Sequence, residues 1–136
     1  MDEEKNGGMK LQDFFTFNNM IKSYAQTVYD TLGTGYQECI YSKALQRELS
    51  LNKYDTQSET VIPVKYKDAV IGYVRSDITI LPNGPILELK AVKTLNEDHV
   101  AQLKSYLKLT NTKTGYLINF PQNSKTDKIS IIQIDN

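Results

Sequence analysis

One cysteine, Cys39, stands in a chain of 136 residues, which excludes an internal disulfide and a cysteine-built zinc cluster. Net charge is missing too, because sixteen Lys and Arg balance sixteen Asp and Glu. No global field therefore draws the chain to nucleic acid or to an anionic membrane, and any nucleic-acid contact has to come from a local patch. No apolar run approaches the roughly 18 residues of a membrane-spanning helix. The opening "MDEEKNGGMK" is acidic and carries glycines, unlike a signal peptide. Repeats and low-complexity segments are absent as well. We therefore expect a soluble, intracellular protein. Residues 1–12 would be a flexible N-terminus and 13–136 a single domain, a length that buries a real core.

What is present is a change of period. Phe17, Ile21, Tyr24 and Val28 recur at helical spacing between Phe14 and Leu32, and Gly33 follows where a C-terminal cap belongs. "GTG" breaks this helix from a second one over Gln37 to Leu49. "SETVIPVKY" and "AVIGYVRSDITIL" are β-branched and aromatic and are separated by "KD", which predicts two antiparallel strands. "PNGP" makes the next turn and "ILELKA" a third strand. Val100, Leu103 and Leu107 restore helical spacing from Asn96 to Leu109, with Asn96 as N-cap and Glu97 and Asp98 in the first turn. "TGYLINF" and "KISIIQI" close the chain as strands around a polar loop, Gln122 to Asp127.

The strand run carries Asp77, and its partner carries Glu88 and Lys90, three charges that are expensive beside a sheet core. If Asn83 and Gly84 form a two-residue hairpin turn, Asp77 lies opposite Lys90, Thr79 opposite Glu88, Ile78 opposite Leu89 and Ile80 opposite Leu87. One face is then apolar and the other gathers Asp77, Glu88 and Lys90. Asp77 and Glu88 would be diagonal neighbours, roughly 7 to 8 Å apart at the backbone. Two carboxylates at that separation can converge on a hard divalent cation. Alternatively Asp77 and Lys90 are a plain cross-strand ion pair worth under about 1 kcal/mol, with Glu88 solvated.

A strand Asp followed by a hairpin and Glu-x-Lys resembles the PD-(D/E)xK nuclease superfamily, through Asp77 and "ELK" at Glu88 to Lys90. "GYQECIY", Gly35 to Tyr41, resembles the signature of its GxxExxY branch, and "HVAQLKSYLKLTNTKTGYLINF" is similar to that branch's helix and closing strand. Gln102 and Tyr106 fit the Q-x-x-x-Y element of RecB-like members. The resemblance runs from about Met20 to Phe120.

It implies an α/β restriction-endonuclease-like core, a mixed sheet with an antiparallel meander flanked by helices. It also implies a metal-dependent phosphodiesterase acting on DNA, with RNA as the alternative. Asp77 and Glu88 would bind Mg²⁺ or Mn²⁺ with the Leu89 carbonyl, Lys90 would orient or activate water, and Glu38 would add a carboxylate. Gln102, Tyr106 and His99 would hold substrate phosphate.

The residues themselves also admit plainer roles. Glu38 is spaced with Tyr41 and Leu45, toward the apolar side, or else serves the helix dipole. Gln102, Tyr106 and His99 can be a polar shoulder of their helix, and Cys39 a core or interface residue. The whole domain can be an inactive nuclease fold serving as a nucleic-acid or protein-binding scaffold, or a viral structural protein. A small neutral domain has little surface for a duplex, which leaves room for a homo-oligomer or a protein partner.

Overall fold

The computed structural model describes residues 11–136. The first ten residues of the expected flexible segment lie outside the described residues, and Leu11 and Gln12 belong to the first helix. α1 spans Leu11–Leu32 and buries Phe17, Ile21 and Val28 on one side. It ends where Gly33, at φ 71°, donates its N–H to the Tyr29 carbonyl at 2.8 Å, a left-handed cap that glycine adopts without a Cβ clash. α2, Glu38–Leu51, buries Tyr41, Leu45 and Leu49.

β1, Asp55–Tyr66, and β2, Ala69–Leu81, form an antiparallel ribbon. Lys67 and Asp68 both have positive φ at its tip, as a two-residue hairpin turn requires. β3 is Ile86–Lys90, α3 Glu97–Thr110, β4 Thr114–Asn119 and β5 Ser130–Asp135. The strands line up in chain order as one five-stranded sheet. Among the described residues only the β3–β4 pair is parallel, and α3 supplies the crossover that a parallel pair needs. This is the expected α/β architecture: a meander, a crossing helix and closing strands.

Side-chain alternation divides the sheet. Ile78, Ile80, Leu87 and Leu89 pack against α1 and α2, whereas Ile86 and Leu117 pack against Leu103 and Leu107 of α3. α3 sits close because β4 carries Gly115, where a Cβ would come within 3.0 Å of Leu103. Among the described residues no helix is long and apolar enough to cross a membrane.

The turn between β2 and β3 departs from expectation. Ile78 registers with Leu87 and Thr79 with Ile86, so Asp77 comes opposite Glu88 rather than Lys90. The cause lies in the loop. Gly84 folds back to donate to the Ile80 carbonyl at 2.8 Å, an approach at which a Cβ would stand 2.5 Å from that oxygen. Pro85, which has no N–H, only accepts, from Ile80 at 3.0 Å. The loop is therefore wider than a two-residue turn, and the register slides by two. A slide of two preserves which side chains share a face.

Candidate active site

Asp77 lies where β2 leaves its regular ladder. Ile80 sends its N–H to Pro85, just before β3, so the N–H groups of odd-numbered β2 residues should face β1. At Asp77 this alternation breaks. Glu59, between the registered pairs Ser58–Ile78 and Thr60–Ser76, has φ 51°, and the Asp77 N–H donates instead to Glu88 Oε1 at 2.8 Å. In return the Leu89 N–H donates to Asp77 Oδ2 at 2.8 Å. Each carboxylate is fastened by one oxygen to the other's strand, and a hydrogen bond joins the two carboxyl groups. The pair therefore converges, while the Leu89 side chain stays in the core on the opposite face. Because a strand residue's N–H and C=O leave on the same flank, the Leu89 carbonyl also faces β2 beside Asp77.

Glu88 is 3% exposed. Burial, and then the charge of Asp77, pushes its carboxyl up to about 8. Burial likewise raises Asp77, with Glu38 adding to the rise, while the Leu89 N–H and Lys90 oppose it. Without a cation the pair thus holds a proton near neutrality. A carboxyl raised in the fold binds its proton more tightly folded than unfolded, so its contribution is complete below the ordinary glutamate range and is lost as pH climbs toward about 8. Metal-free protein should lose stability between about pH 5 and 8, with a limiting slope of ~1.4 kcal/mol per pH unit for one proton. Glu88→Gln should flatten that profile and leave the variant more stable than wild type at pH 8. Denaturant melts across this range in a chelator check it, and an unaltered slope in the variant would assign the loss to other groups.

The donors present suit a hard divalent cation. Both carboxylates and the Leu89 carbonyl offer oxygen donors of the kind such a cation takes, and the raised carboxyls show that Lys90 alone does not neutralise the pair. Among the described residues no three His, Cys, Asp or Glu side chains form a metal-holding group.

Lys90 continues the same face of β3, half-buried, and donates from Nζ to Gln102 Oε1 at 2.8 Å. Gln102 also hydrogen-bonds Tyr106, whose hydroxyl is raised by burial and then by the charges of Glu88 and Asp77. α3 thus brings Gln102 and Tyr106 to the carboxylates from one helical turn. The fold also gives His99 a capping role. Its Nδ1 accepts from the Asn96 N–H at 3.1 Å, while its own N–H donates to Asn96 Oδ1 at 3.1 Å. This reciprocal capping box fixes the start of α3.

With that geometry established, comparison with known proteins decides the family. A sequence profile of the PD-(D/E)XK nuclease superfamily matches residues 16–131. The chain belongs to the PD-(D/E)XK nuclease superfamily. The solved structure described as the crystal structure of SSO0001 is similar at 21% identity and a TM-score of 0.53, over 71% of this chain and 49% of that one. The chain thus spans about half the length of that structure, and the likeness is one of fold. No curated protein matches significantly.

Asp77 and Glu88 to Lys90, the residues expected from the sequence to carry the superfamily's Asp and Glu-x-Lys, lie within the matched range. Glu38 does not reach the apolar side suggested by its spacing. It is exposed as the first residue of α2, whose buried side begins only at Tyr41 and continues through Leu45 and Leu49. It acts on Asp77 through its charge. Cys39 beside it is also exposed and not in the core. Tyr36, Gln37, Glu38, Cys39 and Ala91 line an open cleft of about 500 Å³.

Two residues of the site's frame were not read from the sequence. Asn119, 1% exposed, holds the N–H and the C=O of Val92, each at 3.0 Å, and ties the chain beyond Lys90 to the end of β4. Gln122 opens the loop expected to be merely polar, yet its side chain contacts Gly35 and Tyr41. A buried Asn in the apolar run "GYLINF" was a readable signal for the first; nothing local marked the second.

Proposed function

We propose that this chain is a metal-dependent nuclease hydrolysing phosphodiester bonds in DNA, with RNA as the alternative substrate, and that it lies in the GxxExxY branch. Membership of a nuclease superfamily implies nucleic-acid binding, and its members generally use divalent metals. The observation that carries the reading is the pairing of half-buried Asp77 with buried Glu88 beside a lysine held by Gln102. Such a pair is unfavourable in a fold that needs no cation, since burial and mutual charge both oppose its ionisation.

Asp77, Glu88 and the Leu89 carbonyl would hold Mg²⁺ or Mn²⁺. The chemistry a bound divalent cation supplies there is Lewis acidity toward phosphate oxygens. Lys90 uses one of three N–H donors on Gln102, which leaves the others to orient a water or a phosphate oxygen. Tyr106, through Gln102, limits where the ammonium can move. His99 stands at the start of α3, its Nδ1 committed to the cap, so any contact with substrate falls to Nε2.

The test is cleavage of single- and double-stranded DNA and RNA with Mg²⁺ or Mn²⁺, comparing wild type with Asp77→Asn. Metal-dependent cleavage by wild type alone is expected. A wild type that binds these substrates and cuts none of them would establish the scaffold reading instead.

A further inference from the structure

The loop between α1 and α2 delivers Glu38, and it is held from a distant part of the chain. Gly35, at φ 100°, donates its N–H to Gln122 Oε1 at 2.8 Å. The Gln122 amide nitrogen in turn donates to the Tyr41 hydroxyl and to the Phe120 carbonyl, each at 3.0 Å. Tyr41 donates to the Gly33 carbonyl at 2.6 Å, and its ring stacks on Phe120 at 4.5 Å and 8°. One side chain therefore fastens both glycine-flanked ends of the turn, with its acceptor and both its donors engaged.

The same residue reaches the other side of the site. The Gln122 backbone N–H donates to the Val92 carbonyl at 3.0 Å, two residues past Lys90, and the Phe120 N–H donates to the Lys90 carbonyl at 2.9 Å. Ala91 lies between those two bonds and faces Glu38 across the cleft. The strand end carrying Lys90 and the helix start carrying Glu38 are thus referenced to a single residue.

We infer that Gln122, acting with Tyr41, is a positioning residue that sets where Glu38 stands relative to Asp77. The inference rests on the metal-dependent reading for what Glu38 does, but the placement itself is independent of it. In chemical terms Gln122 acts through Glu38 and touches neither substrate nor metal. Loosening it lets the Glu38 carboxylate drift from Asp77, and the field that Glu38 adds for a cation weakens with distance.

Gln122→Met keeps the side-chain length and removes its hydrogen bonds, while Tyr41→Phe keeps the ring on Phe120 and removes only the hydroxyl. Each should weaken Mn²⁺ binding by about tenfold, in the range of changes behind a metal ligand. Glu38→Gln should do the same, and neither variant should weaken binding further in a Glu38→Gln background. A nitroxide on Cys39, the sole cysteine and the exposed neighbour of Glu38, should gain mobility in both variants. If Gln122→Met fails to fold, Tyr41→Phe alone carries the comparison. An undiminished loss in the Glu38→Gln background, or an unchanged label spectrum, overturns the inference. If wild type binds no Mn²⁺, the metal reading falls, and the label spectrum alone decides for or against the placement.

Discussion

Asp77→Asn should abolish measurable divalent-metal binding and metal-dependent cleavage together. The substitution is nearly isosteric, and its amide oxygen still accepts from the Leu89 N–H, so the strand junction keeps its bond. Asp77→Ala would leave that N–H without its partner, at about 1–3 kcal/mol, and would confuse loss of ligand with loss of fold. With the Asp77 charge gone, one source of the rise in Glu88 disappears and its carboxyl should return toward the ordinary range. The variant should therefore be more stable than metal-free wild type at pH 8, although it binds metal worse. Loss of a direct ligand should exceed the ~10–100-fold typical of residues one shell further out. Isothermal titration with Mn²⁺ and denaturant melts in a chelator measure the two effects. Unaltered Mn²⁺ affinity would remove the foundation of the nuclease reading, whatever happens to stability.

The opposite signs of those two effects show why this site could be read from sequence at all. A stable fold gains little from two acids side by side and at least half-buried, so their presence in "RSDITIL" and "ILELK" was a local conflict with the surrounding apolar pattern. The strands were legible because alternation of period two is local, and so was the face shared by Asp77, Glu88 and Lys90. The partner opposite Asp77 was not, because Gly84 doubling back on Ile80 widened a turn whose composition suggested a tight one. The face survived only because the slide was even; a slip of one would have exchanged Leu89 for Glu88.

Other contacts were not legible where a side chain's partner is set by distant packing or by a cap. His99 lies about one helical turn before Gln102 and two before Tyr106 yet bonds back to Asn96, since a residue three places after an N-cap can satisfy that cap's N–H. Glu38 looked inward by spacing, but the first turn of α2 is exposed and its burial begins only at Tyr41. Gln122 meets Gly35 across 87 residues of chain, a separation that no periodicity reports. The first three residues of β1, Asp55 to Gln57, were missed for a related reason: they are polar, and they are strand because β2 offers ladder partners from Thr79 to Leu81.

Lys90→Ala should separate catalysis from binding. Cleavage should fall by about 10²–10⁴-fold, the usual contribution of a group that positions or moves a proton at the reacting centre. Binding of nucleic acid should weaken only modestly, with the salt slope reduced by about one, since one phosphate contact at most is removed. Metal binding should persist because Asp77 and Glu88 remain, but its pH dependence should move upward. The Lys90 charge lowers both carboxyls, so removing it makes the shared proton harder to displace. The comparison therefore belongs above pH 8 at saturating Mn²⁺, where both proteins are loaded and the remaining difference is chemical. Under those conditions kcat and kcat/KM should fall by the same factor, as for an interaction made in the transition state. Gln102 loses its ammonium donor in the variant but keeps its bond to Tyr106, so α3 should stay seated and thermal stability should change little. If cleavage and binding instead fell in equal proportion, Lys90 would be an anchor for substrate, and the water-orienting role would have to pass to another group at the site.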